Sequence, residues 1–415
     1  MKRYLALILL IAVTSLVTGC RGTGSSAPAP TNVVITAGDS SVTITWDMTP
    51  GVEYWIFKAA TADITPQNCL PLPECAIIVH ATSPYIVAGL TNGTTYSFTI
   101  NGRIDGGKGG AGTASISRVP RLAGATWTTG TAMSINAMRG ITFGTLFAAV
   151  GDNGALFSST DGLAWNAASN PVAAANMSAA SYYNSNYVAV GAAGVILTSP
   201  DAATWTSRTT AAPAKNLFAI SNYGVTGFVA TGASGTIIQS TDGITWNLAS
   251  STNVNPLNDI NGVTYGNGKY VAVGVAGTLL TSSDGINWTS LTSATITSNT
   301  LNGIAYAPPA IGTTGTGTFV AVGANGTIVR SIDGGSTWAP IITSPFAGTT
   351  LINAITYGRQ FIAVAEDGSI FTSVDGSAWA STTATPANSS PVYAVTRGLY
   401  DYTAVGAAGL NMHSK

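Results

Sequence analysis

The 415-residue chain has little charge: 16 Lys and Arg against 17 Asp and Glu, 8% of all residues, for a net charge of −1. A chain this close to neutral carries neither the basic footprint of a nucleic-acid binder nor an acidic tail. Histidine and cysteine are scarce as well, with only His80 and His413 and only Cys20, Cys69 and Cys75. That scarcity leaves a tetrahedral zinc site without partners and takes the base from most nucleophilic triads. There is no Gly-x-Ser-x-Gly elbow, no Walker loop and no Asp-x-Asp-x-Asp calcium loop. Beyond the N-terminal segment no apolar stretch is long enough to span a bilayer. No cofactor, metal or nucleic acid is therefore expected.

What the chain does have is turn chemistry. Its 48 glycines, its many Ser and Thr residues and the want of any long amphipathic helical pattern indicate an all-β protein. The length calls for two or more domains.

At the N-terminus, Lys2 and Arg3 precede an apolar run from Leu5 to Val13 and the small-residue sequence Val17-Thr18-Gly19-Cys20. This pattern resembles the lipobox of bacterial lipoproteins, which implies a signal peptide over 1–19 and acylation of Cys20. Each buried methylene of the lipid would contribute about 0.8 kcal/mol to membrane anchoring. Arg21 follows the cysteine where an Asp would signal retention, so the resemblance implies passage to the outer membrane of a Gram-negative cell. Residues 20–29 then read as the lipidated cysteine and a flexible Gly/Ser/Ala/Pro tether.

Residues 30–120 alternate as short strands with one buried face, as in Ser41-Val42-Thr43-Ile44-Thr45-Trp46 and Glu53-Tyr54-Trp55-Ile56-Phe57-Lys58. With Pro30, Trp46, Leu90, the Thr91-Asn92-Gly93-Thr94 turn and Tyr96-Ser97-Phe98-Thr99-Ile100, this part resembles a fibronectin type III sandwich. The resemblance makes Tyr96 the corner tyrosine, its hydroxyl bonded back to the backbone. Cys69 and Cys75 stand in one loop of this domain. A disulfide suits an exported protein and would contribute roughly 2 kcal/mol; a metal site is the other reading, with His80 alone nearby. The domain reads as a spacer.

From Arg121 to Lys415 one pattern returns with a period of 40 to 49 residues, the range of propeller blades. Its second strand reads Tyr187-Val188-Ala189-Val190-Gly191 or Tyr270-Val271-Ala272-Val273-Gly274, in seven copies, each followed by a turn that closes on a second glycine. A third strand runs into Ser-x-Asp-Gly-x-x-Trp. The copies carry Asp161 and Trp165, Asp201 and Trp205, Asp242 and Trp246, Asp284 and Trp288, Asp333 and Trp338, and Asp375 and Trp379. These residues resemble the Asp-box (BNR) hairpins of sialidases, sortilin-type receptors and photosystem II assembly factor-like propellers. In Asp201-Ala202 the glycine is replaced, and most copies are one residue shorter than the family's spacing. Carboxylates on six separate blades cannot converge on one substrate, so the boxes read as scaffold: Asp and Ser satisfy turn N–H groups while Trp fills the space between sheets.

The seventh copy stops at Ser414-Lys415 without its box. Gly124-Ala125-Thr126-Trp127 matches Gly243-Ile244-Thr245-Trp246, which implies that residues 124–130 supply the missing outer strand and close a seven-bladed propeller at 121–415. On the inner strands a small residue recurs, Ala137, Ala179, Ala219, Gly262, Gly303, Ala354 and Ala394. The residues before it, Asn136, Ser178, Phe218, Asn261, Asn302, Asn353 and Tyr393, form the candidate binding ring at the channel mouth. The asparagines have a second reading, as bonds between neighbouring blades.

Catalysis finds little support. Arg118-Val119-Pro120 faintly resembles the Arg-Ile-Pro motif of sialidases, but Glu366 is the only glutamate after residue 120, and a glycosidase needs two carboxylates about 5–9.5 Å apart. The sequence therefore points to a non-enzymatic cell-envelope lipoprotein, monomeric, holding an unknown protein partner in a scaffold or assembly role. The alternative is a carbohydrate-active protein, either a glycan-binding lectin or a divergent sialidase-like hydrolase.

Overall fold

The computed structural model describes residues 24–172, 174–208, 214–222, 227–249, 258–291, 296–310, 313–342, 346, 348–385 and 387–415. The signal-peptide segment 1–19 and Cys20 lie outside the described residues. The chain divides into two compact units, Met1–Pro120 and Arg121–Lys415. Among the described residues no helix is long and apolar enough to cross a membrane.

The first unit is built from two sheets. Val34–Gly38, Ser41–Thr45 and Tyr85–Ala88 form one; Ser26–Ala27, Tyr96–Arg103, Glu53–Ala59 and Ala76–Ala81 form the other, with Ile116–Arg118 also paired to Tyr96–Arg103. Strand alternation sends Val42, Ile44, Tyr54, Ile56, Phe98 and Ile100 into one shared core with Trp46 and Leu90. The Tyr96 hydroxyl accepts a hydrogen bond from Thr91 N at 3.2 Å and donates to Glu74 at 2.7 Å. Cys69 and Cys75 form a disulfide with Cα atoms 5.5 Å apart, and Cys69 packs under Phe57, Ala59 and Ile64. That bond disposes of the metal reading.

The second unit contains seven sheets among the described residues. Their innermost strands, in chain order, are Met138–Phe143, Met177–Tyr183, Leu217–Asn222, Ile260–Gly266, Leu301–Ala307, Ile352–Tyr357 and Val392–Arg397. Each innermost strand neighbours the one before and the one after, and Met138–Phe143 neighbours Val392–Arg397. The circle thus closes by side-by-side packing of separate sheets, not by one continuous hydrogen-bonded barrel.

Burial on both faces explains the unbroken apolar second strands. Tyr187 and Ala189 point to the cluster shared with the first sheet, through Ala148, Val150 and Leu156. Val188 and Val190 point the other way, onto Leu217, Phe228 and Ala230 of the third. A polar residue at any of these positions would face a core, so alternation disappears. In six of the seven sheets the second strand carries an aromatic near its start whose ring lies 6.2–6.5 Å from the tryptophan of its own sheet, as in Tyr270 with Trp288 and Phe147 with Trp165.

The seventh sheet joins both ends of the unit. Thr126–Thr129 pairs antiparallel with the last strand, Asn411–Ser414, placing Met412 opposite Thr129 and His413 opposite Thr128. The Ser414 hydroxyl accepts from Gly124 N at 2.8 Å, and Trp127 Nε1 donates to Gly124 O at 2.8 Å. These are the bonds that a serine and a tryptophan make within one hairpin elsewhere; here the serine's bond joins positions 290 residues apart. Ala123, buried, stands where the box aspartate would be. A strand that sequence patterning missed, Thr383–Thr385, runs parallel to Thr126–Thr129 and covers its outer edge. Parallel pairing between segments from opposite ends of the unit carries no local turn signature, so the pattern could not announce it.

The first inner strand needs a correction. Met138 pairs with Gly151 and Gly140 with Val150, as Met177 pairs with Gly191 and Ala179 with Val190. The small residue of this sheet is therefore Gly140, not Ala137, and the ring position is Arg139, not Asn136. Asn136 precedes the strand, where its Oδ1 accepts from Asn153 Nδ2 at 3.0 Å. Two adjacent small residues in Asn136-Ala137 imitated the repeat three positions early.

Candidate binding site at the mouth of the ring

The two ends of the second unit differ. At one end lie the Ser-x-Asp turns, and each is closed on itself. Ser240 Oγ donates to Asp242 Oδ1 at 3.0 Å and accepts from Gly243 N at 2.8 Å; Asp242 Oδ1 accepts from Ile244 N and Thr245 N, both at 2.8 Å. The Trp246 indole then donates to Gly243 O at 3.0 Å. The same Ser–Asp bond and indole donation recur at Asp161, Asp201, Asp284 and Asp333, while at Asp375 the Ser–Asp bond recurs but Trp379 Nε1 has no partner. Burial alone would raise the Asp333 carboxyl, but bonds from Thr337 Oγ1 and N, Ser331 Oγ and Ser336 N outweigh it and hold its pKa at about 2. Asp284 and Asp375 are held lower still by the same balance. Carboxylates this fully occupied are structural.

At the other end the inner strands begin, and here every inner strand carries a bulge. The pairing register skips one residue in each, at Arg139, Ser178, Phe218, Asn261, Asn302, Asn353 and Tyr393. A bulged residue is released from the ladder and its side chain re-aimed. All seven line a cavity of ≈ 240 Å³ on the axis, together with the small residues that follow them. The structure thus brings together six of the seven ring residues read from the sequence and replaces Asn136 by Arg139.

The ring is not uniform. Asn261 Nδ2 donates to Leu301 O at 3.1 Å, Asn302 Nδ2 to Ile352 O at 3.0 Å, and Asn353 Nδ2 to Val392 O at 2.9 Å. Each of these bonds runs from one inner strand to the carbonyl just before the bulge on the next. Asn353 also donates to Glu366 Oε2 at 3.0 Å. The reading of asparagine as a tie between neighbouring sheets therefore holds on this side.

On the opposite side stand Tyr393, Arg139, Ser178 and Phe218. Arg139 makes a two-pronged pair with Asp152 through Nε and Nη2, the latter at 2.9 Å, and its guanidinium lies 4.3 Å from the centre of the Tyr393 ring. The Asp152 hydrogen bond holds the Arg139 pKa above its ordinary value. A second concavity of ≈ 370 Å³ opens over this side, lined by Arg139, Asp152, Asn176, Ser178, Ala192, Asn216, Phe218, Asn353 and Tyr393.

The remaining candidates for chemistry are dispersed. His413 is buried in the seventh sheet, with Nε2 2.9 Å from Asp401 Oδ2, and His80 faces Glu53 at 3.3 Å in the first unit. Arg118 donates through Nε to Ile35 O and through Nη1 to Ser117 O, both within the first unit. Among the described residues no three His, Cys, Asp or Glu side chains group together.

No protein-family model matches the chain, and no curated protein matches it. Solved structures do. YCF48 from Cyanidioschyzon merolae is 18% identical with a TM-score of 0.52, over 69% of this chain and 98% of that one. YCF48 bound to D1 peptide is 16% identical with a TM-score of 0.55, over 69% and 94%. The WD40 β-propeller domain of Doa1 is 11% identical with a TM-score of 0.54, over 69% and 95%. At such identities the likeness is one of fold, and the chain is an all-β protein with a β-propeller.

Proposed function

We propose that the chain is an exported lipoprotein, anchored through Cys20, in which a fibronectin type III-like spacer presents a closed seven-bladed Asp-box propeller that binds a protein partner and does no catalysis. The observation that carries this reading is the contrast within the ring: a unit that repeats itself elsewhere departs from repetition where the ≈ 370 Å³ concavity opens. Support for a protein partner comes from the structural neighbour captured with a peptide. The aliphatic side chains on the same end add to it. Ile135 and Ile342 are each 93% exposed, which suits a protein contact better than a sugar. Support for a non-catalytic role comes from occupancy. Asp152 is paired to Arg139 and Glu366 accepts from Asn353, so neither stands free as an acid or base. The lipid would place the molecule at the outer membrane of a Gram-negative cell, as a monomer.

The test is affinity capture from envelope membranes with the full chain as bait. One partner retained by the chain and lost with Arg139→Ala is the expected result. Turnover of a fluorogenic glycoside that disappears with Glu366→Gln would instead establish the hydrolase, and glycan binding without turnover would establish the lectin.

A further inference from the structure

The larger concavity offers hydrogen-bond donors and few acceptors. Just before the second, third and fourth inner strands stand Asn176, Asn216 and Asp259, and each uses one side-chain oxygen to hold the turn of the preceding sheet. Asn153 N donates to Asn176 Oδ1, Ala193 N to Asn216 Oδ1 and Ser234 N to Asp259 Oδ1, all at 2.9 Å. That bond fixes how each carboxamide is turned and leaves its nitrogen over. Asn176 and Asn216 both line the concavity, and among the described residues neither Nδ2 has a partner. Arg139 gives Nε and Nη2 to Asp152 and keeps Nη1 out of that pair. Acceptors are fewer. Both Asp152 oxygens already take Arg139 N–H groups, and the strands' own first residues, Met138, Met177 and Leu217, are buried. The Ser178 hydroxyl serves either way, and Asn353 Oδ1 remains at one border.

We infer that this concavity receives a proline-rich segment of the protein partner in polyproline II conformation, held through its main-chain carbonyls. A site rich in donors selects a ligand that brings acceptors and no donors of its own. Proline does so, since it keeps its C=O and has no N–H. Polyproline II leaves those carbonyls without internal hydrogen bonds, free to accept from Asn176 Nδ2 and Asn216 Nδ2 on neighbouring sheets. A β-strand would bring N–H groups against these same nitrogens and leave both unpaired. Flat apolar faces flank the donors, as in other polyproline grooves: Phe218 on the third sheet, and Tyr393 on the seventh, backed by the Arg139 guanidinium 4.3 Å from its ring centre. The acceptor is a neutral one. Asp152 offsets Arg139, and Asp259, Glu366 and Asp367 outnumber Lys215 at this end, so a carboxylate or phosphate meets repulsion that a carbonyl escapes.

This inference rests on the protein-binding reading, and its test separates the two. Synthetic peptides alternating Ala and Pro, strand-forming peptides alternating Thr and Val, and the Ala/Pro peptides with added Glu are titrated calorimetrically against the full chain in detergent. The variant that decides is Asn176→Asp with Asn216→Asp. It exchanges both donors for acceptors yet keeps the turn bonds, because Asp259 makes the same bond in the fourth sheet. The Ala/Pro peptides are expected to bind, and the double variant to bind them about tenfold or more weakly, the loss of two hydrogen bonds, at unchanged Tm. Phe218→Leu, which keeps apolar volume and removes the ring face, is an independent check and should also weaken binding without moving Tm. Equal or tighter binding of the strand-forming or Glu-bearing peptides overturns the inference. So does undiminished binding by either variant, or failure of the Ala/Pro peptides to bind. A membrane partner that the chain captures and that excess Ala/Pro peptide does not displace would sink this inference and leave the protein-binding reading standing.

Discussion

The two ends of the same seven sheets obey different rules. At the box end, the turns around Asp161, Asp201, Asp242, Asp284, Asp333 and Asp375 repeat one hydrogen-bond plan closed inside the hairpin, short only of an acceptor for the Trp379 indole. At the mouth end, the bulges repeat but the residues upon them change, from asparagine on the fourth to sixth sheets to Tyr393, Arg139, Ser178 and Phe218 on the other four. Repetition of side chains marks what holds the ring; repetition of backbone with changing side chains marks what the ring presents. Fold and binding are thereby separated along each strand by about its own length.

If the box end is scaffold, breaking it must cost stability, and most where the plan spans both ends of the unit. Trp127 is 1% exposed and packs in a cluster with Ile362, Val364, Tyr402 and Met412. Trp127→Ala should lower unfolding free energy by about 3–5 kcal/mol, the usual cost of emptying a large aromatic site. Urea unfolding measures it, and Trp127→Phe should recover most of the loss. A small effect would mean that the closing strand is dispensable.

Acid addresses all six box carboxylates together. Their pKa values fall on folding, so their contribution is complete above the ordinary value of 3.8 and disappears as pH drops through the folded value, about 2 for Asp333. Thermal melts should therefore show Tm falling between about pH 4 and pH 2. These groups are largely solvated, and added salt should reduce the effect. One box alone is a smaller perturbation. Asp242→Ala removes the acceptor of Ile244 N and Thr245 N and should cost about 1–2 kcal/mol, with partner binding unchanged.

The sequence made the box end legible because its geometry is local. Ser240, Asp242 and Trp246 lie within one hairpin, so spacing carries the whole arrangement. Closure was legible because the orphan Ser414 and the unattached Gly124-Ala125-Thr126-Trp127 are halves of one pattern. The mouth was harder to read. Its ring depends on the register of a bulge, and a bulge leaves no mark when neighbouring residues are small and polar. Asn136-Ala137 imitated the ring residue and its small neighbour, and Arg139 was hidden three positions on. The split between the asparagine-tied side and the rest was not read from the sequence, since it depends on where an amide nitrogen points. A signal did exist: asparagine holds three consecutive ring positions and then stops.

Within the mouth the comparison sharpens. Asn302→Ala removes one strand-to-strand tie and should cost about 1 kcal/mol, because the carbonyl of Ile352 loses its partner close to a water-accessible cavity. Asn261→Ala and Asn353→Ala should behave alike. If all three proved neutral, the ties would be incidental and the division of the ring would have no energetic content.

Arg139→Gln is the smallest expected change in stability and the most informative. The Arg139–Asp152 pair is partly exposed, with 41% and 25% of the side chains accessible, and such pairs contribute about 0.2–1 kcal/mol. Loss of stacking on Tyr393 adds little at an exposed site, so Tm should barely move. Binding should respond far more. Without the guanidinium the Tyr393 ring loses the group that lies over it, and Asp152 becomes an unpaired negative charge at the edge of the larger concavity. Capture of the protein partner should then weaken. A stability loss as large as that of Asn302→Ala, with binding intact, would move Arg139 from the presenting side of the ring to the holding side.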